Sequence, residues 1–156
     1  MIRLPTLPMS GGCACGQLRY EITGPPIAVY ACCCADCQRI TASGCSLAMP
    51  VMREHLRVTD GEAGTWLRTG GSGAQIPQRF CPRCGVRLWT EPAYAPQTVT
   101  VRPGSLDDPS WVRPVAAYWM SSAQPWVSFP AGTLLYDTQP DDFTPVVRAW
   151  RAQVGA

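Results

Sequence analysis

Charge is scarce in this chain. Only 15% of its 156 residues are Asp, Glu, Lys or Arg, and the formal net charge is +2. That excludes a highly charged disordered segment and an electrostatic grip on nucleic acid or anionic lipid. Long apolar runs are missing too, and no stretch approaches the roughly 18 residues of a membrane span. Met1–Ser10 holds one arginine and short apolar runs broken by Pro5 and Pro8, which does not read as a secretory signal. The expectation is a cytoplasmic protein with neither a nucleic-acid nor a membrane partner. Histidine is nearly absent. His55 is the only one, and a lone histidine on a strand-like run is more often a surface or satisfied residue than a ligand.

What the chain does have is 16 prolines, 14 glycines and nine cysteines. Proline and glycine scattered without a period favour many short strands and turns over long helices. The length fits a single domain, with a core at about 11–136 and a tail at 137–156. Strand-like runs stand at Gln17–Thr23, Ile27–Cys32, Ser46–Val51, His55–Thr59, Gly64–Arg68 and Gln75–Phe80. Others follow at Val86–Thr90, Thr98–Val101, Val115–Ser121 and Trp126–Phe129. Residues 1–11 read as a flexible lead-in, Cys34–Ile40 as a single helical turn or short helix, and Thr69–Gly73 as a hairpin loop or lid. Val146, Val147 and Trp150 have the spacing of a short terminal helix. The fold class is mainly β with few short helices.

In the cytosol, clustered cysteines are metal ligands or catalytic groups more often than disulfides, and an odd count fits a pure disulfide framework badly. Two groups are paired half-sites beside glycine: Gly12-Cys13-Ala14-Cys15-Gly16 and Cys81-Pro82-Arg83-Cys84-Gly85. In an extended segment residues i and i+2 share a face, so Cys13 and Cys15 can present both sulfurs together. In a C-x-x-C turn the two sulfurs converge, and glycine after it supplies a positive φ. Four thiolates with no vacancy make a structural Cys₄ zinc site; the competing reading, buried free cysteines beside a redox C-x-x-C, wants a βαβ context that this region lacks.

The second group is Cys32-Cys33-Cys34-Ala35-Asp36-Cys37. Here Cys32, Cys34 and Cys37 converge while Cys33 points away. Three protein ligands and one open position describe a catalytic zinc. A thiol taken there is deprotonated and becomes a nucleophile at neutral pH. The competing reading is a second closed structural site, with Cys33, Cys45 or His55 as fourth ligand. Cys45 reads first as a small buried hydrophobe. Arg39 and Arg79 are candidates for binding substrate carboxylates, or for pairing with a structural carboxylate instead. Trp126 is either a pocket wall or a core aromatic.

Three segments carry a resemblance: Gly11–Tyr20, Cys32–Arg39 with the later Ser43-Gly44, and Gln78–Leu88. In this order they resemble the motifs of the glutathione-dependent formaldehyde-activating enzyme family, which also includes centromere protein V. The resemblance runs from about Gly11 to Phe129. It implies stacked antiparallel sheets of β-tent type with a zinc-ribbon-like clip. It also implies one structural zinc on Cys13, Cys15, Cys81 and Cys84, and one catalytic zinc on Cys32, Cys34 and Cys37. The implied activity is that of a carbon–sulfur lyase of the S-hydroxymethylglutathione synthase type, with glutathione as co-substrate. The chain departs from the family pattern at Cys33, where that pattern usually has histidine. The alternative is a non-catalytic zinc-binding module with two structural zincs. A redox sensor built on Cys32–Cys37 without metal ranks last, because adjacent cysteines form only strained disulfides.

Overall fold

Short elements follow from turn residues every few positions. The computed structural model describes residues 1–70 and 73–155. It has eleven strands among these: β1 Met9–Gly12, β2 Arg19–Ile22, β3 Tyr30–Cys32, β4 Ser46–Met52, β5 Leu56–Asp60, β6 Gly64–Thr69, β7 Gln75–Phe80, β8 Arg87–Thr90, β9 Thr98–Val101, β10 Ala116–Tyr118 and β11 Leu134–Leu135. The two α-helices are α1 Ala35–Thr41 and α2 Thr144–Val154. No helix among the described residues is long and apolar enough to cross a membrane. The elements form two compact units, one of residues 1–4, 27–48 and 111–156, the other of 5–26 and 49–110.

The first unit is organised on β3. It pairs antiparallel with the first half of β4, Cys32 opposite Ser46. On its other side it pairs parallel with β10, Tyr118 beside Cys32, and β10 pairs parallel with β11. This parallel run lies outside the expectation of antiparallel sheets. Its strands are only two or three residues long, too short to show a pattern of their own. Tyr30 stacks on Tyr118 at 4.5 Å and meets Phe143 edge-on. In α2 the i, i+4 pair Val146 and Trp150 is buried, and Trp150 packs against Trp111 at 6.3 Å. Asp142 accepts the Thr144 N–H at 2.8 Å at the start of α2, and Gly155 closes it with φ +74°.

The second unit holds two antiparallel sheets. One is β1-β2-β5; the other runs from the second half of β4 through β9, β8 and β7 to β6. Leu18, Tyr20 and Ile22 alternate inward and are fully buried. Tyr20 meets Trp89 of β8 edge-on at 6.3 Å, so the two sheets share a core. Val51, Leu88, Val99 and Val101 complete it.

Two expectations about elements are corrected. The lead-in is not loose at its end: Met9–Gly12 is strand β1, paired through Ser10 opposite Glu21. Trp126–Phe129 forms no strand. Its Val127 N–H closes a turn on the Gln124 carbonyl at 2.9 Å. Of the expected loop at Thr69–Gly73, Gly71 and Ser72 lie outside the described residues.

Candidate metal centres

The first cluster is built from two matching turns in the second unit. In each, the first cysteine donates its N–H to a carbonyl five residues on: Cys13 to Leu18 and Cys81 to Val86, both at 2.9 Å. Inside those brackets Gly16 N–H bonds the Cys13 carbonyl at 3.2 Å and Gly85 N–H bonds the Cys81 carbonyl at 2.8 Å. Both glycines have positive φ, +77° and +74°. Cys13-Ala14-Cys15 is therefore a turn, not the extended segment expected. The backbone must reverse between β1 and β2, and the sulfurs converge through the turn instead of through strand alternation.

The four sulfurs lie within 4.8 Å of one another, with Cys13 to Cys15 at 3.5 Å and Cys15 to Cys81 at 3.7 Å. A tetrahedral zinc with Zn–S near 2.3 Å sets its sulfurs about 3.8 Å apart. All nine cysteines are free thiols. The donor set, its number and its spacing thus fit zinc.

The electrostatics agree with that fit. Burial opposes ionisation of Cys13, but the Leu18 N–H at 3.2 Å and neighbouring thiols outweigh it and lower its pKa to about 6. Cys15 goes the other way. A Gln17 N–H favours its thiolate, yet burial and the crowd of Cys13, Cys84 and Cys81 raise it to about 11. Cys84 is lowered, chiefly by the Val86 N–H. Four thiolates at this spacing repel one another, and a divalent cation at their centre removes the conflict.

The second cluster lies in the first unit, where β3 runs into α1. Cys32 ends the strand. Cys34 is the N-cap of α1, with extended backbone, and its sulfur accepts the Cys37 N–H at 3.4 Å. Cys37 stands in the first helical turn. Their three sulfurs lie within 4.8 Å of one another, and no further histidine, cysteine or carboxylate among the described residues joins them. The Cys32 thiol is pushed far up, first by its contacts with Cys34 and Cys37 and then by burial. Three sulfur donors in this array also fit zinc. Cys33 is fully buried and stays out of the cluster. His55 is in neither cluster; its ring lies against Gly24 and its carbonyl accepts the Thr23 N–H at 2.9 Å.

The remaining candidates separate. Arg79, on β7, donates to Glu91 at 2.8 Å and to Thr65 at 2.5 Å, the pairing with a structural carboxylate that the sequence left open. Arg39 is exposed on α1, two residues beyond Cys37 and so about 200° round the helix from it. Trp126 is not a core aromatic: it is 71% exposed. It walls an open cleft of about 230 Å³ together with Ser43, Gly44, Cys45, Ser128 and Phe129. A Cβ on Gly44 would come within 2.7 Å of the Trp126 ring, so only glycine admits this contact.

Sequence reasoning missed Gln38. Its amide donates to the Cys33 carbonyl at 2.6 Å and the Ser122 carbonyl at 2.8 Å, and accepts from Gln124 at 2.9 Å. It ties the ligand segment to the loop before Trp126. Its position next to Cys37 was the only available signal.

No curated protein matches the chain. Among solved structures, the crystal structure of a Rhodobacter sphaeroides protein is similar at a TM-score of 0.52. The two are 20% identical, and the match covers 82% of this chain and 99% of that one. At that identity the likeness is one of fold. Residues 8–122 match the family model of the glutathione-dependent formaldehyde-activating enzymes, and that span contains both sulfur clusters. The chain belongs to the glutathione-dependent formaldehyde-activating enzyme family.

Proposed function

We propose that this protein is a zinc-dependent carbon–sulfur lyase-type enzyme. Its substrate is the adduct of a small thiol, glutathione or a similar one, with formaldehyde or another small carbonyl. The observation that carries this reading is the three-sulfur cluster of Cys32, Cys34 and Cys37, with no fourth protein donor among the described residues. Cys13, Cys15, Cys81 and Cys84 hold a structural zinc, and Cys32, Cys34 and Cys37 hold the catalytic one. Zinc on three thiolates would be a weak Lewis acid, suited to keeping an incoming thiol deprotonated at neutral pH.

The chain's own residues do the rest. Gln38 fixes the backbone between Cys33 and Cys37, so the open side of the cluster keeps its shape. Trp126 and Phe129 offer apolar walls, and Ser43 and Ser128 hydroxyls, for the body of the thiol substrate. Arg39, exposed on the far side of α1 from Cys37, is the candidate partner for a carboxylate at the outer end of the thiol substrate. Arg79 stays with Glu91. In the synthetic direction the thiol sulfur bonds the carbonyl carbon and the thiol proton ends on the oxygen; cleavage reverses both changes.

The test is zinc content combined with thiol titration. The purified chain is expected to hold two zinc ions, one per cluster, with glutathione perturbing the spectrum of only one site in a cobalt-substituted form. Adduct formation should then exceed the uncatalysed rate and disappear in Cys37→Ser. Two zincs that both ignore glutathione, with no rate above background, would sink the enzyme reading and leave the alternative of two structural zincs in a binding module.

A further inference from the structure

Two cysteines belong to neither cluster, and the fold sets them opposite each other. The β3–β4 register runs Tyr30–Ala48, Ala31–Leu47, Cys32–Ser46. One step further it brings Cys33 opposite Cys45. The Cys33 N–H is spent on the Tyr118 carbonyl of β10 at 2.9 Å, so its backbone is turned away from β4. The pair therefore sits in a non-hydrogen-bonded position of the antiparallel ladder, where Cα atoms are about 4.5 Å apart. A disulfide needs Cα atoms roughly 4.4–6.8 Å apart. The Cys33 and Cys45 side chains lie close enough to bear on each other's ionisation. Cys33 is wholly buried, whereas Cys45 lines the cleft beside Trp126. One member of the pair thus meets small molecules and the other does not.

We propose that Cys33 and Cys45 are a reversible cross-strand dithiol, with Cys45 as the entry thiol for a small-molecule disulfide in the cleft and Cys33 as the resolving thiol. The Cys45 sulfur attacks one sulfur of the disulfide, which forms a mixed disulfide and releases one small thiol. The Cys33 sulfur then attacks the Cys45 sulfur and releases the second. Two protein thiols are oxidised, one small disulfide is reduced, and the two thiol protons leave on the two released thiols. Cys32, Cys34 and Cys37 take no part in it and keep their metal. The pair works in this way whether the second cluster is catalytic or structural.

Treatment of the zinc-loaded full chain with oxidised glutathione tests this. Peptide mapping by mass spectrometry should find Cys33 linked to Cys45, with zinc content unchanged from the untreated protein. Dithiothreitol should reverse the link. Cys33→Ser should stop at a stable glutathione adduct on Cys45, and Cys45→Ser should take up no glutathione at Cys33. The proposal is overturned if the folded, zinc-loaded chain treated with oxidised glutathione forms no Cys33–Cys45 link. It is also overturned if oxidation maps to Cys32, Cys34 or Cys37 with loss of zinc. The mapping on the unaltered chain decides the matter even if a variant fails to fold.

Discussion

A single backbone angle shapes each half of the four-cysteine cluster. Gly85 sits at φ +74°, and nothing lies within 4 Å of where its Cβ would be. Gly85→Ala therefore isolates the conformational cost, and the unfolding free energy extrapolated from urea melts should fall by about 1–2 kcal/mol. Gly61→Ala should cost more, because its added Cβ would meet the Gln17 carbonyl oxygen at 2.1 Å. Glu91 gives a different residue-scale test. Burial raises its pKa, but the Arg79 bond, and the charges of Arg79 and Arg53, win and leave it lowered. A group whose folded pKa is depressed contributes stability above its unfolded pKa, and loses it as pH falls through the folded one. The unfolded value is near 4.3. The stability difference between the unaltered chain and Glu91→Gln should thus be full above about pH 5 and shrink at lower pH, read by denaturant melts across that range. Comparison within the pair removes the contribution of cysteine protonation, which both chains share.

At the scale of elements, α1 depends on what holds it. It has seven residues and no buried residue, too little to be stable alone. Its anchorage is polar: the Cys34 cap, the Gln38 bonds, and the Thr41 hydroxyl on the Cys37 and Cys45 carbonyls at 2.7 and 3.2 Å. Gln38→Ala should cost about 1–3 kcal/mol. It should also weaken zinc at the second cluster by roughly 10–100-fold, measured by competition with a chelating dye, while the first cluster holds. The helix itself was legible in Cys34–Ile40, because the spacing of Cys34 and Cys37 is that of a helical turn. The Trp126–Phe129 segment was not. Its bulky residues suit a strand, but Pro125 and Pro130 flank it, and its aromatics turn to a cleft.

For the whole molecule, each cluster lies inside one compact unit. They differ in the length of chain they close. Cys15 and Cys81 are 66 residues apart, Cys34 and Cys37 three. The longer closure is worth about 2–3 kcal/mol more in chain entropy. Cys84→Ser should accordingly lower the thermal midpoint well beyond Cys37→Ser, with each variant retaining one zinc. Equal losses of midpoint would contradict the division into structural and catalytic sites. Chelator strong enough to strip both metals should reproduce the Cys84→Ser phenotype, because metal binding at the long-range clip is part of the folding free energy.

Each half-site was readable from the chain alone. C-x-C, C-x-x-C and C-x-C-x-x-C are local spacings, which mark each half-site; that Cys13 and Cys15 meet Cys81 and Cys84, through a turn and not an extended segment, is tertiary. The run of short strands was readable for the same local reason, since turn residues and side-chain alternation act over a few positions. Tertiary structure decided what depends on partners far away in sequence. It made β10 parallel to β3, committed Arg79 to Glu91, set Trp126 on an open cleft and aligned Cys32 with Ser46. Those outcomes rest on strand register and topology, which no spacing within one segment encodes.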